Sequence, residues 1–294
     1  MTAHVPVMPS EIVTLLAPSR GGVFVDCTVG LGGHARLLLE GGATRLIGLD
    51  RDRDALELAG DVLAPWGERV ELVHADYREV GRVLDERGIA GVSGAVADLG
   101  VSSMQLDVAG RGFSFQRDEP LDMRMDASAG PTAADLIDAA EESELADVIY
   151  HFGDERRSRA VARAIVTARS RGRIETTGQL AAIVRRVVGR GEWHRLDPAT
   201  RTFQAIRIWV NRELDGLDTF LQTVSERLLV GARFAVVTFH SLEDRPAKHV
   251  FRDLVHGNPA FGLLTKKPLV ASDEEVRENP RARSAKLRAI ERLG

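Results

Sequence analysis

The stretch Val23-Phe24-Val25-Asp26-Cys27-Thr28-Val29-Gly30-Leu31-Gly32-Gly33-His34 passes from a short apolar run into a glycine-rich turn and then into helix-forming sequence. Four β-prone residues closed by an acid predict a strand, and the glycines predict a turn whose backbone N–H groups can approach a ligand closely. In an open α/β sheet the crevice beyond such strand ends is where ligands bind. Reading outward, Arg45–Asp50 (RLIGLD), Val70–His74 (VELVH) and residues 94–99 (GAVADL) repeat the strand pattern. Helix-forming stretches at 35–40, 52–63 and 79–87 separate them. Four strands alternating with helices predict βαβ units and a parallel sheet.

The next convincing strand, 233–239 (RFAVVTF), comes more than 130 residues after the fourth. A βαβ crossover needs only about a dozen residues and its helix, so something is inserted. Residues 133–150, 155–171 and 179–188 have helical patterns, which predicts a mostly helical second domain over 110–205 between the two parts of the α/β domain, 1–109 and 206–294. The sheet then resumes with a long helix over 202–229, the strand at 233, a helix over 242–255 and late strands near 263–270 and 285–290.

Composition bounds the function. The 294 residues are 44% hydrophobic and 28% charged, as in soluble globular proteins, which excludes a disordered or collagen-like chain. The longest stretch without Asp, Glu, Lys or Arg is the twelve residues 254–265, too short to span a bilayer. Residues 1–10 lack the basic start and apolar core of a secretory signal, so the cytoplasm is expected. A single cysteine, Cys27, excludes an internal disulfide and a cysteine-based zinc cluster, and no metal site is expected. Net charge is −4, but it is uneven: residues 110–150 carry −7, 151–212 carry +9 and 277–294 carry +4. The basic segments suit a polyanion, although arginines on solvated helix faces would read the same way.

Asp50, closing the second strand beyond the glycines, stands where a carboxylate accepts hydrogen bonds from ribose hydroxyls. Gly30-x-Gly32-x-x-Ala35 also satisfies the dinucleotide fingerprint, so a nicotinamide enzyme has to be weighed. Asp26, Cys27 and Thr28 intervene before the first glycine, however, and a carboxylate beside the pocket repels a pyrophosphate. The cationic sulfonium and ammonium of S-adenosylmethionine suit Asp26 better. The third strand is followed by Asp76-Tyr77, an acid and ring for an adenine, and the fourth ends in Asp98, a candidate acceptor for a target amine or a helix cap.

The glycines before His34, together with DLGVSSMQ (98–105), RGFSF (111–115), LDMRMD (121–126), PATRTFQAIRIWVN (198–211), TFHSLEDR (238–245) and NPRAR (279–283), resemble the bacterial MraW-type family of S-adenosylmethionine-dependent small-subunit ribosomal RNA (cytosine-N4)-methyltransferases. The resemblance runs from about His4 to the C-terminus. It implies a Rossmann-like methyltransferase fold, a parallel sheet with a reversed late strand and an inserted helical domain. It implies cofactor contacts at Gly32, Gly33, His34, Asp50, Tyr77, Asp98 and Gln105. For transfer to an amine, the end of the fourth strand makes Asp98 the expected catalytic residue, orienting the amine and the cofactor, with the Leu99 carbonyl as a second acceptor. The substrate it implies is 16S ribosomal RNA, taken as an assembled or near-assembled small subunit, away from membranes; a homodimer stays open.

Chemistry on a base needs an unstacked nucleotide, so a loop or junction is expected as the target. The arginines at 156, 157, 159, 163, 169, 171 and 173 recur too densely for one helix face, and Arg156 and Arg157 are candidates for phosphate contact. Arg201 and Arg207, and Arg281 and Arg283 in the tail, could line the other side of a groove. The base-stacking partner is open among Phe113, Phe115 and His240-Ser241, and His240 and Glu243 are reserve proton acceptors. Three rival readings remain: a dinucleotide oxidoreductase, a ribosome-assembly factor without turnover, and a DNA amino-methyltransferase.

Overall fold

The structure, a computed structural model, describes residues 6–189 and 197–294; His4, where the resemblance begins, lies outside them. In chain order the elements are α1 (Pro9–Leu16), β1 (Val23–Asp26), α2 (Gly33–Glu40), β2 (Arg45–Asp50), α3 (Arg53–Leu63), β3 (Val70–His74), α4 (Val80–Asp85) and β4 (Val92–Asp98). There follow α5 (Ser103–Asp107), α6 (Ala133–Ala139), α7 (Glu142–Gly153), α8 (Ser158–Arg169), α9 (Thr177–Val188) and α10 (Thr200–Asn211). The chain ends with α11 (Leu217–Glu226), β5 (Leu228–Thr238), α12 (Ser241–Gly257), β6 (Phe261–Leu263), β7 (Leu269–Val270), α13 (Asp273–Glu278) and β8 (Lys286–Arg292). None of the described helices is long and apolar enough to cross a membrane.

The chain divides into two compact units, residues 1–100 with 214–294, and residues 101–213. The second runs past the expected 110–205 at both ends, with Val101 and Leu106 packed against its hydrophobic core and Ile206 within it.

In the first unit a single sheet runs β3-β2-β1-β4-β5-β8-β6, with β7 also paired to β8. Strands β1 to β5 are parallel, and β8 runs antiparallel to β5, as the reversed late strand requires. The inner parallel strands β1, β2 and β4 are covered on both faces by two apolar clusters, so they read as largely continuous apolar runs, whereas the edge strand β3 is only partly buried. The sheet order reverses at β1 and β4, which opens a crevice beyond their carboxyl ends. Gly94 lets β4 lie against β1: a methyl group there would sit 2.3 Å from an atom of the Phe24 ring.

Four expected elements differ. The late strand near 263–270 is two short strands, β6 and β7. The long helix over 202–229 is two helices and the start of a strand, because Arg212 (φ 49°) and Gly216 (φ 65°) are left-handed. Strand β5 begins at Leu228, five residues before the expected 233, and passes an irregularity at Gly231 (φ 78°) where its register against β4 shifts. The helix expected over 133–150 is broken at Ala140 and Glu141, both extended.

The second unit is helical and its core is closed by polar locks. The buried Asn211 at the end of α10 accepts from the Met125 N–H at 2.7 Å and donates to the Met123 carbonyl at 2.7 Å. Arg111 donates to the Arg124 and Met125 carbonyls at 3.2 and 2.9 Å. The segments RGFSF, LDMRMD and PATRTFQAIRIWVN therefore meet in one scaffold, which holds Met123 in a left-handed conformation (φ 61°).

Candidate active site

Parallel strands place their last residues along one edge, and here each of the first four ends in or beside an acid: Asp26, Asp50, Asp76 and Asp98. Between β1 and α2 the loop is built on Gly30 (φ 51°) and Gly32 (φ 80°), a conformation that side chains resist. Gly30 N–H donates to Asp50 Oδ2 at 2.8 Å and Asp52 N–H donates to Asp50 Oδ1 at 2.9 Å. These two bonds fix the Asp50 carboxylate, and each oxygen keeps a lone pair for a further donor. Burial raises the Asp50 carboxyl above its ordinary range, against the pull of those two N–H groups.

Asp26 is buried; its Oδ1 accepts from Thr28 N–H at 3.1 Å, and its Oδ2 has no hydrogen-bond partner. Burial, with the charge of Asp50 adding to it, pushes its carboxyl up from 3.8 to about 7. The N–H of Asp98 donates to Thr28 Oγ1 at 2.7 Å, tying the end of β4 to the loop after β1. Asp98 Oδ1 is likewise buried without a hydrogen-bond partner. Burial first, then the charges of Asp26 and Glu243, drive the Asp98 carboxyl well above its ordinary range. An orphaned buried carboxylate oxygen costs about 1–3 kcal/mol or more, so two of them on neighbouring strand ends mark a place made for a donor or a cation. The oxygens fit an amino, sulfonium or hydroxyl-bearing ligand and disfavour a pyrophosphate, as expected of S-adenosylmethionine and not of a dinucleotide.

Tyr77 is buried beyond β3, its ring 4.5 Å from that of Phe220. Asp76 caps the turn that carries it. Burial works against the Asp76 charge, but the Arg78 hydrogen bond and the Arg51 and Arg78 charges outweigh it and hold the carboxyl below its usual range. His34 is buried at the start of α2 with Nε2 2.9 Å from the Val7 carbonyl, and a methyl on Gly33 would meet Pro6 at 3.1 Å. Gly33 and His34 thus seat residues 6–7 against the glycine loop. A methyl on Gly32 would meet Leu63 of α3 at 3.2 Å.

At the end of β5, His240 precedes α12 and Glu243 lies in its first turn. Glu243 Oε2 accepts from Phe239 N–H at 3.0 Å. Both ring nitrogens of His240 are buried without a hydrogen-bond partner, although Nε2 stands 3.1 Å from Glu243 Oε1. Arg281 and Arg283 are exposed on the turn Pro280–Ser284 before β8.

The remaining candidates belong to the second unit. Gln105 forms a capping box with Ser102, its Oε1 accepting from Ser102 N–H at 3.0 Å. Arg156 and Arg157 are exposed at the start of α8, and Arg157 donates to the Val188 carbonyl at 3.2 Å. Arg201 donates to the Asp154 carbonyl at 2.6 Å. Arg207 is held bidentate by Glu213 at 2.8 and 2.8 Å. Phe113 lies in the helical core, and Phe115 packs edge-on against Phe203 at 4.8 Å with the Arg185 guanidinium 5.5 Å away. Among the first unit's residues, sequence reasoning passed over Thr28; its signal was a hydroxyl two residues past the acid that closes β1.

The sequence profile of the MraW methylase family matches residues 1–293. Curated proteins called ribosomal RNA small subunit methyltransferase H are similar over nearly the whole chain. That of Syntrophotalea carbinolica is 52% identical, covering 99% of this chain and 98% of the relative. That of Nitrobacter winogradskyi is 51% identical over 98% and 90%, and that of Geobacter sulfurreducens 50% over 99% and 99%.

Proposed function

Because the chain belongs to the MraW methylase family, whose methyl donor is S-adenosylmethionine, we propose that it methylates the exocyclic N4 amine of a cytidine in 16S ribosomal RNA. The relatives' names point to small-subunit ribosomal RNA; the amine rests on the carboxyl at the end of β4. The observation that carries the reading is the pair of orphaned, buried oxygens, Asp26 Oδ2 and Asp98 Oδ1.

The donor supplies an electrophilic methyl on a sulfonium. Asp26 offers a carboxylate to positive charge, and Asp50, fixed by Gly30 and Asp52, offers acceptors to hydroxyls. Tyr77 and the Gly30–Gly32 loop shape the walls. The lone pair of a cytosine N4 is delocalised into the ring, so the enzyme must localise it. Asp98 Oδ1 and the Leu99 carbonyl accept hydrogen bonds from N4–H, which turns the lone pair toward the methyl group. The N–H of Leu99 is bonded to the Val237 carbonyl at 3.0 Å, so the strand end is held rigid while it does this. Positioning, rather than a strong base, supplies most of the acceleration.

The test is methyl transfer from labelled S-adenosylmethionine to small subunits from cells lacking the enzyme. Asp98→Ala should lose at least about a hundredfold in turnover while remaining folded. Turnover by Asp98→Ala within a few-fold of wild type removes Asp98 from the reaction.

A further inference from the structure

In the reading above Asp98 Oδ1 is the hydrogen-bond acceptor that orients the amine, which leaves open the group that carries a proton away from the site. Transfer to N4 leaves that nitrogen cationic, so a proton has to go. The end of β5 is the neighbouring strand end: Asp98 pairs with Val237, two residues before Phe239. A methyl built on Gly100, just past Asp98, would be 3.4 Å from the Phe239 ring and 4.0 Å from Glu243 Oε1. The turn from Phe239 to Glu243 therefore packs on the backbone that follows Asp98.

Within that turn His240 has two buried ring nitrogens with no hydrogen-bond partner, a costly arrangement for an imidazole with no task. Glu243 Oε1 is 3.1 Å from Nε2, and Glu243 is itself anchored by Phe239 N–H at 3.0 Å. A small ring rotation aligns Nε2–H with Glu243, which fixes the tautomer and leaves Nδ1 as the basic nitrogen. We propose that His240 is the proton acceptor of the methyl transfer, with Glu243 as the residue that positions it. The inference rests on the amine reading above.

The step balances. The N4 lone pair forms the N–C bond as the C–S bond breaks onto sulfur, and positive charge passes from sulfur to N4. The Nδ1 lone pair of His240 then takes one N4 proton, the N–H electrons return to N4, and the imidazolium formed beside Glu243 later gives the proton to solvent.

The experiment compares wild type, His240→Ala, His240→Gln and Glu243→Gln on small subunits, with S-adenosylmethionine affinity measured by calorimetry and fold by circular dichroism. Both His240 variants should lose about a hundredfold or more in kcat while cofactor affinity stays within about twofold. Added imidazole should restore His240→Ala in a saturable way and leave His240→Gln, whose side chain fills the space, unrestored. Glu243→Gln should lose about tenfold in kcat. A His240→Ala kcat within about threefold of wild type, or a large loss that imidazole does not restore, overturns the assignment. Failure of the amine reading appears separately, as a wild-type product that is not N4-methylcytidine.

Discussion

Replacing Asp26 by Asn should make the protein more stable, and increasingly so as pH rises. The Asp26 carboxyl is 1% exposed and is raised from 3.8 to about 7 in the folded chain, first by burial. A folded-state value raised above the unfolded one contributes stability that is present at low pH and is lost as pH climbs through the folded value. At pH 5.5 the folded protein holds the proton that the unfolded chain has released, a cost of about 2 kcal/mol relative to a neutral side chain. By pH 8.5 the folded carboxyl is ionised without a partner on Oδ2, and the cost reaches about 4 kcal/mol. Asn keeps an acceptor for Thr28 N–H and carries no charge, so its advantage should grow by about 2 kcal/mol between the two pH values. The raised Asp50 and Asp98 carboxyls contribute to both proteins and largely cancel. Urea unfolding of both at pH 5.5 and 8.5, followed by circular dichroism, reads the difference. An advantage that does not change with pH would refute the claim that Asp26 is held near neutrality by burial.

The same carboxyl makes cofactor affinity pH-dependent: if S-adenosylmethionine binds the ionised form, its apparent affinity should rise about tenfold from pH 6 to pH 8, and calorimetry giving a flat profile contradicts this. Asn211→Ala leaves the Met123 carbonyl and the Met125 N–H buried without their partner and should cost about 3 kcal/mol, seen as a lowered urea midpoint; a loss under about 1 kcal/mol would mean the LDMRMD segment is held by other means. Ribosomal RNA affinity should fall steeply with salt, log K against log salt sloping by about 0.7–0.9 per phosphate contacted, and Arg156→Ala should lower that slope by about one contact; a flat plot removes the basic groove.

Strands β1, β2 and β4 were legible because each is a short run rich in aliphatic residues closed by an acid, and the edge strand β3 by its three apolar residues Val70, Leu72 and Val73. Val23–Asp26, Arg45–Asp50 and Val70–His74 match the observed bounds. The fused helix over 202–229 was not legible as two, since Arg212 adopts a left-handed conformation that its residue type does not announce. Local pattern carries periodicity but not the tertiary hydrogen bonds that stop a helix. At the site, Asp50 and Asp98 could be read from their place at strand ends. His34 and Gln105 could be read as polar groups at helix starts, but the backbone partners they chose, the Val7 carbonyl and the Ser102 N–H, come from the fold alone. The arginine-rich segment shows the same limit: composition gave its charge, while the structure shows Arg201 and Arg207 already bonded to Asp154 and Glu213.

The central claim is the acceptor atom. Small subunits from cells lacking the enzyme, methylated with labelled S-adenosylmethionine and digested to nucleosides, should carry the label as N4-methylcytidine, incorporated at least about a hundredfold more slowly by Asp98→Ala. Label in any other nucleoside would contradict the amine chemistry assigned to the end of β4.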